Sequence, residues 1–137
     1  MPRYVAERVL LAPIDDVWGF LAEPYHFSDW WPGIAGVEPD RRGLAAGARW
    51  KVQGPSYLHK PETARVLLVR KVVPCELLSF ELPKDRIGVE IRLQATDEHR
   101  TLVTVAVDGR FLVGPRSRLA AQALGRLYDL VQTAASG

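Results

Sequence analysis

The chain has 137 residues, 47% apolar and 25% charged, with a formal charge of +2, which is enough for one domain over 1–137 whose core needs no covalent or metal staple. A single cysteine, Cys75, excludes an internal disulfide and a multi-cysteine metal site. Charges of both signs are scattered and call for no nucleic acid, and no apolar run reaches the roughly 18 residues of an integral membrane segment.

Arg3 to Ala12 reads as a strand, with Val5, Val9 and Leu11 on one face and Tyr4, Ala6, Arg8 and Leu10 on the other. Each face carries a charge, so periodicity leaves the inward one open. The opening MPRYVAERVLLAP has no apolar block of the signal-peptide kind, and a cytoplasmic location is expected. Pro13 ends the strand and starts a short helix. Asp15 and Asp16 suit its positive end, while Ile14, Val17, Trp18 and Leu21 have the spacing of a buried stripe.

Pro24 stops that helix and opens PYHFSDWWPG, a segment dense in aromatic rings. Two readings fit it. Phe27 and a tryptophan can plug one end of the core, or Tyr25, Phe27, Trp30 and Trp31 can rim a pocket, since such rings are large, rigid and tipped with polar groups.

From Ile34 to Gly114 the pattern is strand and turn. Ile34 to Glu38 is a short strand, and Ala48, Trp50 and Val52 then alternate with Arg49, Lys51 and Gln53. Gly54-Pro55 breaks that strand before a loop carrying Tyr57 and His59. Thr63 to Val73 and Glu76 to Leu82 continue a meander. Ile87, Val89, Ile91, Leu93 and Ala95 form the dry side of the next strand, Asp97 to Arg100 reverses it, and Val103, Val105, Val107 and Phe111 prolong the dry face. Gly114-Pro115 then starts a helix that runs to the chain end. Its apolar arc holds Leu119, Ala120, Ala123, Leu124, Leu127, Leu130, Val131 and Ala134, with small residues in the middle. A one-face-dry antiparallel sheet needs a cover, and this helix has the length and the stripe to supply it.

Catalytic signatures are sparse. His26, His59 and His99 have no metal-ligand spacing, Cys75 has no partner pattern of a nucleophile, and neither a G-x-S-x-G elbow nor a phosphate-cradling glycine loop occurs. The expectation is no metal and no cofactor, with catalytic residues unassigned. The remaining polar candidates are Tyr57, His59, Tyr25, His26, Tyr128, and Arg92 if its strand runs in the opposite sense.

The order of elements, with APIDDVWGFLAEP at 12–24, FSDWWPGI at 27–34, AGARW at 46–50, VVPCELLSFEL at 72–82 and LVTVAVDGRF at 102–111, resembles the START-like or SRPBCC superfamily and its polyketide cyclase/dehydrase-like family. The resemblance implies an α+β helix-grip fold. A curved antiparallel sheet of about six to seven strands wraps a long C-terminal helix, with two short helices after the first strand. It also implies a ligand cavity between sheet and helix. In this chain the sheet would line it with Trp50, Val52, Phe80, Ile91, Val105 and Val107, the helix with Ala123, Leu124, Leu127 and Tyr128, and the end with Trp30 or Trp31. Tyr57 and His59 would stand at its rim. Such a protein binds a hydrophobic or aromatic small molecule, such as a lipid, polyketide or quinone-like compound. The resemblance leaves open two alternatives: a cyclase/dehydrase-like enzyme using His, Tyr or Arg for proton transfer, and a coenzyme Q carrier or membrane-assembly factor. Fold alone does not choose among them, or fix the oligomeric state.

Overall fold

A computed structural model describes residues 3–53, 65–109 and 117–136, the last two of these by backbone only. Seven strands, β1 (Arg3–Leu10), β2 (Gly36–Glu38), β3 (Arg49–Gln53), β4 (Arg65–Val73), β5 (Leu77–Leu82), β6 (Ile87–Asp97) and β7 (Arg100–Gly109), form one antiparallel sheet in the order β1-β7-β6-β5-β4-β3-β2. Helices α1 (Ile14–Ala22) and α2 (Phe27–Trp30) follow β1, and α3 (Leu119–Ser136) comes last. The expected α+β helix-grip architecture is the observed one. Predicted strand ends shift by one or two residues, while Tyr57, His59, Phe111 and the Gly114-Pro115 helix start lie outside the described residues.

The alternating patterns set the sheet's faces. Trp50, Val52, Leu67, Val69, Leu78, Phe80, Val89, Ile91, Val103, Val105 and Val107 all point into one core. Bulges between Val69 and Lys71 and between Ala95 and Asp97 bend β4 and β6, and so help curl the sheet. At the β6–β7 hairpin the Asp97 carboxylate accepts the backbone N–H of His99 at 2.8 Å, closing the turn with a side chain.

The undecided face of β1 is settled by its partner helix. Leu10 is fully buried, Ala6 packs on the core, and the Arg8 guanidinium lies 3.5 Å from the centre of the Tyr128 ring. The even-numbered side therefore faces α3, and the charge on that side is absorbed by a cation–π contact. Val5, Val9 and Leu11 are exposed. On α3, Leu119, Ala120, Ala123, Leu124, Leu127 and Val131 are buried as expected, whereas Leu130 is half-buried and Ala134 exposed. The buried arc is narrower than the sequence pattern.

The cover is also shared, which the pattern did not foresee. Helix α3 packs chiefly against β1, β7 and α2. The aromatic turn after α1 covers the strands on the other side, through Trp50 of β3 and Phe80 of β5.

Two tethers fix α1 to the end of the sheet. The Thr101 hydroxyl, fully buried, donates to the Ala12 carbonyl at 2.9 Å, and the Cys75 thiol in the β4–β5 turn donates to the Asp15 carboxylate at 3.2 Å. At the opposite end of the sheet, Arg65 occupies an inward position in phase with Leu67 and Val69. Arg86 adopts a left-handed backbone (φ 58°) in the turn that brings Asp85 beneath it, and the guanidinium donates to the Asp85 carboxylate at 2.9 Å. These two side chains are 2% and 0% exposed. Removing one side chain deprives the other buried charge of this close ion pair, so Asp85→Asn should lower unfolding stability by about 3–5 kcal/mol, while the paired change Arg65→Met with Asp85→Leu should recover most of it. Urea unfolding of the three proteins checks this; equal losses in the single and double variants would refute it.

Candidate functional site

The candidate site is the aromatic wall of the core. Phe27, Trp30 and Trp31 stand at the i, i+3 and i+4 positions of a single helical turn closed by the Trp31 N–H donating to the Phe27 carbonyl at 2.9 Å. That spacing throws all three rings to one side. Phe27 is the hub. Its ring centre is 4.8 Å from Trp30, 5.3 Å from Phe80 and 6.0 Å from Trp50, each edge to face, and 6.5 Å from Trp31, nearly parallel. Trp31 also meets Phe80 at 5.6 Å. These are the separations at which aromatic pairs attract beyond simple burial.

The three core indoles differ in one respect. The Trp50 Nε1–H donates to the Gly43 carbonyl at 2.8 Å. The loop that presents this carbonyl is shaped by Asp40, whose carboxylate accepts the backbone N–H groups of Arg42 and Arg49 at 2.9 Å each. Hydrogen bonding to Arg49 foremost holds the Asp40 carboxyl below its ordinary pKa. Trp30 and Trp31 are 1% and 0% exposed, and neither Nε1–H has an acceptor among the described residues. A buried donor left unpaired costs about 1–3 kcal/mol.

The structure brings most of the expected lining residues together. Trp30, Trp31, Trp50, Val52, Phe80, Ile91, Val105, Val107, Ala123, Leu124 and Leu127 all belong to the buried cluster. Tyr128 is half-buried at its margin beneath Arg8, and its hydroxyl accepts from Gln132. Tyr25 turns outward and is 79% exposed. The two readings of the aromatic segment are thus divided between residues: Phe27, Trp30 and Trp31 go inside, Tyr25 outside.

The polar candidates sit elsewhere. Arg92 projects from the outer face of β6 and pairs with Glu90, so its strand runs in the sense that puts Ile91 inward. His99 is exposed, and His26 bonds Asp29 at 3.0 Å beside Phe20 and Tyr25. The inward charge that sequence reasoning missed is Arg65. A charged residue in phase with the buried positions of an alternating strand was the available signal, since such a charge demands a buried partner.

A groove of about 420 Å³ between α1 and α3 is lined by Asp15, Asp16, Phe20, His26 and Val131, and another of about 490 Å³ opens on the outer sheet face beside Arg92 and Thr104. Neither includes the expected lining residues. No group of His, Cys, Asp and Glu among the described residues could hold a metal ion, and no described helix is long and apolar enough to cross a membrane. Burial, and donation to Asp15, push the Cys75 thiol above its ordinary pKa. At about pH 8.5, where an ordinary thiol is half ionised, Cys75 should react with iodoacetamide more slowly than a free thiol. Asp15→Asn, which removes the carboxylate that favours the protonated form, should speed the reaction. Mass spectrometry of the alkylated fraction over time measures both, and an unchanged rate in the variant would contradict the assigned cause.

The curved seven-stranded sheet, the two short helices and the long helix laid across it define a START-like, SRPBCC-type helix-grip protein. Solved structures share that fold. The AHSA1-like protein from Aeromonas hydrophila is similar with a TM-score of 0.74 at 17% identity, over 98% of this chain and 94% of that one. The protein XoxI from Bacillus cereus is similar with a TM-score of 0.72 at 11% identity, over 96% of each chain. A conserved protein of unknown function from Enterococcus faecalis follows at 0.69 and 19% identity, over 94% of this chain and 70% of that one. Comparison with curated proteins gives no match. The family model described as "Polyketide cyclase / dehydrase and lipid transport" matches residues 1–132, and the chain belongs to that family.

Proposed function

We propose that this protein encloses a hydrophobic or aromatic small molecule between the concave sheet and α3, with the aromatic wall as its inner end. The observation that carries the reading is the convergence of Phe27, Trp30, Trp31, Trp50 and Phe80 on the dry face, next to a covering helix whose buried arc has small residues at its middle, Ala120 and Ala123. Large rigid rings give much contact area with little rotamer entropy to lose, which suits a surface that must grip apolar guests. The family's description, which joins cyclases with lipid transport, supports a guest of this class.

Binding is favoured over proton-transfer catalysis by the placement of the described candidates. Tyr25, His99 and Arg92 face outward, His26 is engaged with Asp29 away from the aromatic wall, and the inward Arg65 is engaged with Asp85. General acid–base work needs such a group within hydrogen-bond reach of the reacting atom.

Native mass spectrometry of protein purified under mild conditions should show a retained apolar molecule. Ala123→Trp, which sets an indole in the middle of the buried face of α3, should abolish retention while circular dichroism shows the fold kept. If the wild type retains nothing and binds no naphthalene-sized hydrocarbon in solution, the reading fails.

A further inference from the structure

We infer that the guest carries an acceptor oxygen, of the carbonyl kind, at the end that reaches the aromatic wall, and that the indole N–H groups of Trp30 and Trp31 receive it. This rests on the binding reading above and adds the chemistry of one end of the ligand. Trp50 lies in the same group of rings, and the fold supplies its Nε1–H with a backbone acceptor at 2.8 Å. Trp30 and Trp31 are buried at least as completely, yet both donors lack one among the described residues.

Packing alone does not call for those two donors. Phe27 and Phe80 fill the same cluster with rings that carry no polar atom. Tryptophan at both adjacent positions adds two N–H groups whose ring centres stand 6.2 Å apart. A carbonyl oxygen has two lone pairs, and either donor alone gives it one hydrogen bond. The donors bear no charge, and the described walls around them are apolar, so a neutral carbonyl on an apolar ring system or chain fits better than a carboxylate, whose desolvation two neutral donors would not offset. A buried water is the other source of an acceptor.

The test compares two probes of nearly the same shape, naphthyl methyl ketone and isopropenylnaphthalene, on the isotope-labelled protein. Nitrogen–proton correlation spectra resolve the indole signals, with Trp50, already bonded to Gly43, as the internal reference. Both probes should bind, the ketone about tenfold more tightly although water solvates it better, the gain expected of one or two hydrogen bonds. The ketone should move the Trp30 and Trp31 indole protons downfield and leave that of Trp50 in place. Trp30→Phe or Trp31→Phe, which keeps a ring and removes the donor, should erase much of the preference. The wild-type spectra decide the matter even if these variants fold poorly. Stationary Trp30 and Trp31 signals on ketone binding would overturn the inference and leave the apolar site standing, as would follow if a buried water already served both donors. Failure of both probes to bind would overturn the proposed function and this inference with it.

Discussion

An α-helix is about 10 Å across and neighbouring strands sit about 4.8 Å apart, so one helix can dry two strands, or three with long side chains. A sheet of seven strands spans roughly 29 Å across its strand axes. Helix α3 lies on the β1–β7 side of it, and the remaining dry face must be covered by something else. Curvature shortens the gap, since the bulges in β4 and β6 bring the far strands round. The rest falls to one helical turn. Phe27, Trp30 and Trp31 cover Trp50 and Phe80, inward side chains of β3 and β5, with three large rings from a single turn.

A divided cover yields a core of two textures. Beneath α3, β-branched side chains of β7 such as Val103, Val105 and Val107 belong to the same cluster as Ala120, Ala123, Leu124 and Leu127. Beneath α2, flat rings meet edge to face. The first texture is shape-selective, because branched side chains hold few rotamers. The second depends on dispersion spread over large faces, which falls off gradually as rings slide. The polar demands of the two halves differ too. Aliphatic residues ask for nothing, whereas each buried indole carries a donor that water would otherwise satisfy. Trp50 meets that demand through the loop that Asp40 organises.

Much of this was legible in the chain because it depends on neighbours in sequence. The dry faces of β3, β6 and β7 follow from alternation, and α3 from its stripe. What was hidden depends on distant partners. The inward side of β1 could not be read because Arg8 is tolerable inside only where Tyr128, far along the chain, offers its ring face. Arg65 could be marked as an inward charge, but its partner Asp85 comes from a turn between β5 and β6, twenty residues away, and nothing local to either residue announces the pairing. The density of rings at 25–31 was plain. Which of them enter the core was set by the register of one helical turn, and that turn is too short to show a period.

The distribution of directional bonds says where this structure can yield. The α1 end is tethered by Thr101 to Ala12 and by Cys75 to Asp15, and the far end by Arg65 to Asp85. Each of these is directional and weakens steeply as its angle bends. Between them the inward side chains of the aromatic turn make no hydrogen bond to the described residues: Trp30 and Trp31 are held by ring contacts and by the backbone of their own turn. Tethers at both ends thus set the positions of the sheet and α1, while Phe27, Trp30 and Trp31 are placed by ring contacts and one helical turn. The part of the core with unmet hydrogen-bonding capacity among the described residues is therefore also the part whose placement owes least to directional bonds.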